Sequence, residues 1–157
     1  MDVATKRATL GTAALTILRV TVGIVMVAHG WKKLTHMQAT IDGFAGMGMP
    51  APDVMVYFAV AGEFLGGLGL LVGALTPLAG LGVMAVMLTA ILVVHAGNGL
   101  FAENGGFEYP LVLLMAAFYF VARGAGPVSV DALVRRSRAS RHGSEDRPGG
   151  QPREAHG

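Results

Sequence analysis

Apolar residues in this chain come in four long blocks, not in alternation or short stripes. The first covers residues 8–30 and its only full charge is Arg19. The second covers 54–75 and its only full charge is Glu63. The third covers 78–96 with His95 at its end, and the fourth runs from 109 to 122 and stops at Arg123. A hydrocarbon core takes about 20 apolar residues in helical form. The pattern therefore predicts an all-α membrane protein, a four-transmembrane-helix bundle filling residues 1–134. The fourth block is short, so it borrows Phe107 and Glu108 at one end and lets Arg123 snorkel at the other. Thr76-Pro77 divides the second block from the third, with Pro77 in a first helical turn. So short a connection makes those helices antiparallel neighbours. Gly97-Asn98-Gly99 ends the third block, and Pro110 opens the fourth where its missing N–H does no harm.

Two stretches fall outside the blocks. Residues 31–53 exceed a minimal helix connection, and Gly43, Gly46, Gly48, Pro50 and Pro52 break up their second half. Ile41, Phe44, Met47 and Met49 predict that this stretch lies on the bilayer surface or folds over the bundle mouth, with Trp31 as an interfacial anchor. Residues 135–157 hold six arginines, three acids and two prolines with almost no apolar residue. They are predicted to form a disordered basic tail, either solvated and fixing topology or bound to anionic head groups.

Composition agrees with the blocks. The 157 residues are 53% hydrophobic and only 14% charged, against about 25% charged in ordinary soluble domains, and the mean hydropathy is +0.56. The 23 glycines suit closely packed membrane helices. There is no cysteine, which excludes disulfides, thiolate nucleophiles, Cys-ligated zinc and cysteine-held iron–sulfur clusters. The net charge of +2 matters only through its placement. With four spans, Lys6, Arg7, Arg123, Arg135, Arg136 and Arg138 share a side with both termini, and Lys32 and Lys33 lie on the other. That bias predicts cytoplasmic N- and C-termini. The first block contains Arg19, is longer than a signal-peptide core and is followed by no A-x-A site, so it is read as retained.

Charges at membrane depth normally face a bundle interior and find a partner. Counted from the cytoplasmic ends of their blocks, Arg19 lies roughly 16 Å deep and Glu63 roughly 18 Å deep, which predicts a buried Arg19–Glu63 pair. Gly62, Gly66, Gly69 and Gly73 give G-x-x-x-G spacings beside Glu63, with Gly23 as a complementary gap. The pair reads either as part of a proton, quinone or substrate site, or as an ion pair that fixes helix register.

His29, Lys32, Lys33, His95 and Glu108 fall together at the opposite, extracytoplasmic end and form a second candidate site. Two histidines and a carboxylate can shuttle protons or bind a metal, but each comes from a different span and no ligand spacing is present, so no metal is assigned. Lys32 and Lys33 read as anchors to lipid phosphates, or as a pair attracting an anion or a quinone carbonyl. The abundant methionines read as core packing and not as a copper site. No nucleotide, haem or peptidase motif is present, and no basic, aromatic-interleaved surface for nucleic acid.

Five motifs run in order along this scaffold: His29-Gly30-Trp31-Lys32-Lys33-Leu34; Phe44-Ala45-Gly46-Met47-Gly48-Met49-Pro50; Glu63-Phe64-Leu65-Gly66-Gly67; Gly105-Gly106-Phe107-Glu108-Tyr109; and Gly124-Ala125-Gly126-Pro127-Val128-Ser129-Val130-Asp131. Together with an arginine in the first span, the chain closely resembles the DoxX family of small bacterial inner-membrane proteins over roughly residues 15 to 133. The resemblance implies a four-helix membrane bundle. It also implies an accessory role in a membrane redox complex, since relatives include subunits tied to thiosulfate–quinone and thiol redox systems. Arg19, His29, Lys32, Glu63 and Glu108 lie in the family's motifs. The chain itself offers no electron carrier, so electron transfer needs a bound quinone or a partner subunit. The expected partners are the lipid bilayer, a soluble redox or sulfur-transfer protein, and a second copy of the chain. A small transporter or lipid-handling protein and a non-catalytic scaffold are the competing readings.

Overall fold

The computed structural model describes residues 2–145, which form six longer helices and a single 3-10 turn at Ala102–Asn104. Helix α1 is Val3–Thr35 and α2 is Met37–Gly46. Helix α3 is Pro52–Val72, with a π-helical turn at Ala61–Leu65. Helix α4 is Thr76–Asn98, with a second π-helical turn at Ala90–His95. Helices α5 and α6 are Glu108–Arg123 and Val130–Glu145. Among the described residues there is no strand.

Helices α1, α3 and α4 are each long and apolar enough to cross a membrane. Helix α5 has 16 residues, or about 24 Å at 1.5 Å per residue. That falls short of a hydrocarbon core of about 30 Å. It nonetheless packs along α4, and its Leu113, Ala117 and Phe120 join Val22 and Met26 of α1, Leu70 of α3 and Val83 and Met87 of α4 in one core. Phe120, Met26, Leu70 and Val83 are fully enclosed there.

Small residues set the register between α1 and α3. A Cβ on Gly23 would lie 2.7 Å from the Leu71 nitrogen, one on Gly30 2.5 Å from the Phe64 nitrogen, and one on Gly67 2.7 Å from the Val27 nitrogen. These helices touch backbone to backbone, as small-residue interfaces allow. Helix α3 ends at Gly73, whose φ of +69° favours glycine. The Gly73 N–H bonds the Leu70 carbonyl and the Ala74 N–H bonds the Gly69 carbonyl, the paired bonds of a Schellman cap.

The stretch expected to be a loop at 31–53 is mostly helical. Helix α1 continues to Thr35, and α2 folds back so that Phe44 and Met49 pack on Val56 and Ala59 of α3. The tail expected to be disordered from residue 135 is helical through Glu145, and the rest of it, 146–157, lies outside the described residues. The physical reason is local. The Ser129 hydroxyl accepts the Ala132 N–H at 3.1 Å, an N-cap bond, and alanine and arginine then favour helix.

Candidate functional site

Arg19 and Glu63 are both buried, at 2% and 4% exposure, but they do not pair. Gly23 faces Leu71 and Gly30 faces Phe64. This register puts Arg19 level with the end of α3, and Glu63 level with the part of α1 around Gly30. Depth counted from the ends of the apolar blocks misplaced them because α1 overhangs α3 by several turns at its N-terminal end.

Arg19 instead ties three backbone segments together. Its Nη1 donates to the carbonyls of Leu70 and Leu71, the latter at 3.1 Å, and its Nη2 to the carbonyl of Val128 at 2.8 Å. Leu70 and Leu71 lie in the last turn of α3, where carbonyls lack i+4 partners; the Gly73 N–H reaches the Leu70 carbonyl, and Arg19 adds a bond to each. Asp131 fastens the same corner from the other side. Its carboxylate accepts the N–H groups of Leu75 at 2.8 Å and Thr76 at 3.0 Å, capping the start of α4. Its own N–H donates to the Gly73 carbonyl at 2.9 Å.

Glu63 pairs with Lys33. The ammonium lies 2.7 Å from Oε1 and 2.6 Å from Oε2, and the Lys33 side chain retains 23% exposure. The expected lysine pair is therefore split: Lys33 turns inward to Glu63, and Lys32 stays exposed. The Lys33–Glu63 pair opens on a cavity of about 690 Å³, within the usual range for small-molecule sites. His29, His95 and Tyr109 also line it. The His29 and Tyr109 rings stand 6.2 Å apart. His95 Nδ1 lies 2.6 Å from the Gly105 carbonyl. A carbonyl only accepts, so Nδ1 carries the hydrogen and Nε2 is left to take or give a proton.

The rest of the wall is apolar. Phe44, Met47 and Met49 from the α2 segment close over one end, and Met26, Met55 and Met87 line the interior. The cavity continues past Leu65, Ala79 and Gly82 to Leu75 and Leu78. Leu65, Leu75 and Leu78 are exposed apolar residues, so this arm opens on the outer, lipid-compatible face of α3 and α4. Both π-helical turns border the cavity, one carrying Glu63 and the other ending in His95. Such turns recur at functional sites because the inserted residue re-aims its neighbours.

The structure thus gathers His29, Lys33, Glu63 and His95 and leaves the other candidates out. Arg19 is at the far end. Lys32 is not in the wall, and Glu108 accepts the Ala102 N–H at 2.7 Å, closing the turn before α5. Among the described residues no three His, Asp or Glu side chains converge as a metal-ligand set. Sequence reasoning missed Tyr109 and the methionine wall. Tyr109 follows Glu108 directly at the start of a helix, at the same end as His29, which was the available signal. The two π-helical turns carry no signal in the sequence.

The DoxX family profile matches residues 14–96. A Bacillus subtilis protein named "Putative oxidoreductase CatD" is 30% identical over 118 residues, covering 75% of this chain and 84% of that protein. An uncharacterized protein of Haemophilus influenzae is 25% identical over 84 residues, covering 54% of this chain and 56% of its own length. No solved structure matches the chain. The matched segment runs from α1 through the π-helical turn of α4 and so contains His29, Lys33, Glu63 and His95, and with them most of the cavity; this chain belongs to the DoxX family of membrane proteins.

Proposed function

We propose that this protein is an accessory subunit of a membrane redox complex and that its cavity receives a quinone. One observation carries the reading: a single cavity joins a polar end, built from Lys33, Glu63, His29, His95 and Tyr109, to an apolar arm open on the outer face of α3 and α4. A membrane quinone has that same division, a ring with two carbonyls and an apolar tail. The residues present fit it. Lys33 spends its ammonium on Glu63 through a bidentate contact but keeps donor capacity, and the Tyr109 hydroxyl is a further donor to carbonyl oxygens. Methionines make an adaptable wall for a flat ring.

Bound there, a quinone would supply two-electron, two-proton redox capacity. The chain's own residues hold and move the protons. With electrons arriving at the quinone, Glu63 would take a proton from water as Lys33 moves off it and pass it to one quinone oxygen, and His95 Nε2 would relay a second proton from water to the other while Nδ1 stays on Gly105. The chain has no cysteine, so electrons enter from a soluble redox or sulfur-handling partner. The relative named as an oxidoreductase supports the redox reading. The placement of Lys6, Arg7, Arg123, Arg135, Arg136 and Arg138 supports a bundle of four spanning helices in the bacterial inner membrane with both termini in the cytoplasm. The fourth span is then α5, accommodated by snorkelling of Arg123 and local thinning of the bilayer.

Trp31, the only tryptophan, makes the test direct. Its ring stands 6.0 Å from that of Phe64, the neighbour of Glu63. Titrating a short-chain quinone into the purified protein in lipid nanodiscs should quench Trp31 saturably. Glu63→Gln and Lys33→Met, checked for intact helix content, should weaken the binding at least about tenfold. Quenching that is linear, or identical in the variants, rejects the quinone site. Crosslinking and mass spectrometry of the tagged chain should then recover a stoichiometric redox partner. Recovery of a homo-oligomer alone would reject the subunit reading and leave the cavity to a transported or lipid-like cargo.

A further inference from the structure

Helix α6 has no role in the cavity, yet it is anchored firmly at one end. Ser129 caps it, Asp131 bonds it to the α3–α4 corner, and Ala132 is buried. Beyond that first turn, every side chain from Leu133 to Ser140 is exposed. Val130, Leu133 and Val134, spaced i, i+3 and i+4, form an uncovered apolar stripe, and Arg135, Arg136 and Arg138 flank it with no acid among residues 132–140. An apolar stripe edged by arginines is the pattern of a helix that lies in a membrane interface.

The anchoring fixes the depth. Asp131 bonds the backbone of Leu75 and Thr76, and Val72, Leu75 and Val128 around this corner are exposed apolar residues. The lipid-facing apolar surface of the bundle therefore reaches the level at which α6 begins. The stripe continues that surface, and the three guanidiniums stand where head-group phosphates would be. Guanidinium pairs with phosphate through two parallel hydrogen bonds.

We propose that the exposed face of α6 is a docking surface for anionic phospholipid head groups, which hold the helix along the bilayer at the α3–α4 corner. Neutral phosphocholine surfaces lack the net negative charge that three arginines need, so the contact depends on lipid composition and on salt.

The absence of cysteine makes the test clean. Ser137→Cys in the full chain gives one labelling site on the exposed helix. Reconstituted in nanodiscs of phosphatidylglycerol, a label there should be immobilised and shielded from a water-soluble quencher. In phosphatidylcholine, or in phosphatidylglycerol at 0.5 M salt (roughly a 4 Å screening length), it should be free. Replacing Arg135, Arg136 and Arg138 with glutamine should reduce the ratio of shielded to free label by about fivefold per arginine. Leu133→Ser should reduce it without changing the salt dependence. Equal exposure in both lipids would overturn the proposal. So would equal shielding in both that ignores salt, since that would mean the helix packs on protein. Unchanged helix content and unchanged Trp31 emission show that the variants remain folded.

Discussion

Lys33 holds both oxygens of Glu63 at 2.7 and 2.6 Å across two antiparallel helices, at a point where Gly30 lets the Phe64 backbone come close. Glu63 is buried while the Lys33 side chain keeps 23% exposure, so the carboxylate depends on Lys33 for its solvation more than the reverse. Removing one partner of a buried pair typically costs about 3–5 kcal/mol, whereas replacing both with apolar residues of similar size is often neutral. Lys33→Met should lower the thermal midpoint in detergent sharply, Glu63→Leu less so because Lys33 keeps contact with solvent, and the double variant should recover most of the larger loss. Additive losses would mean that the two charges do not support one another.

Gly30 itself is the second test. Gly30→Ala places a methyl 2.5 Å from the Phe64 nitrogen, so α1 and α3 must separate. Overpacking of this kind costs about 1–3 kcal/mol, and it also moves Lys33 away from Glu63. The expected result is a lower midpoint together with weakened quinone-dependent quenching of Trp31. A destabilised variant that quenches normally would show that the cavity does not depend on this crossing.

Arg19 should behave differently. Arg19→Met strands the carbonyls of Leu71 and Val128 and leaves the Leu70 carbonyl with the Gly73 N–H alone, with a loss of about 3 kcal/mol. Arg19→Lys should recover only part of it, because an ammonium cannot reproduce the planar fork. Neither change should alter quinone affinity in the folded fraction, since Arg19 lies about 21 Å along α1 from Lys33. A specific loss of affinity at unchanged stability would contradict its structural role.

Asp131 links stability to pH. Burial pushes its carboxyl pKa up, but the N–H groups of Thr76 and Leu75 and the nearby Arg135 outweigh that and hold it below the usual carboxylate range. A depressed folded-state pKa stabilises the fold above the ordinary value of about 3.9, and the contribution is lost as pH falls through the folded value. Wild type should lose thermal stability below about pH 4. Asp131→Asn should be less stable at neutral pH and flatter over the acid range. Parallel pH curves for the two proteins would remove Asp131 from the corner's stability.

Much of this architecture can be read from apolar block length alone, including the three long helices and the limits of α5 to within a residue or so. The contact between the two buried charges cannot. Hydropathy locates a block but not the register of one block against another. Here glycine contacts at Gly23, Gly30 and Gly67 set the register, and they shift Glu63 from Arg19 to Lys33. The composition of residues 135–145 suggests disorder, while the signal for helix lies upstream, in a serine that caps and an aspartate that docks. The tyrosine and methionines of the cavity come from four separate helices and the connection between α2 and α3, so only the assembled bundle brings them together.

The fastening of Arg19 also bears on how the chain is made. Its acceptor Leu70 lies 51 residues later and Val128 lies 109 residues later. At about 5–20 residues per second, a ribosome takes several seconds to deliver the first of these and longer to deliver the last. Throughout that interval the first apolar segment carries a guanidinium without its final partners. The insertion machinery, or water at the membrane edge, must solvate it until α3 arrives. Final closure waits for the Val128 segment, so α1 enters the membrane early and is locked in place late.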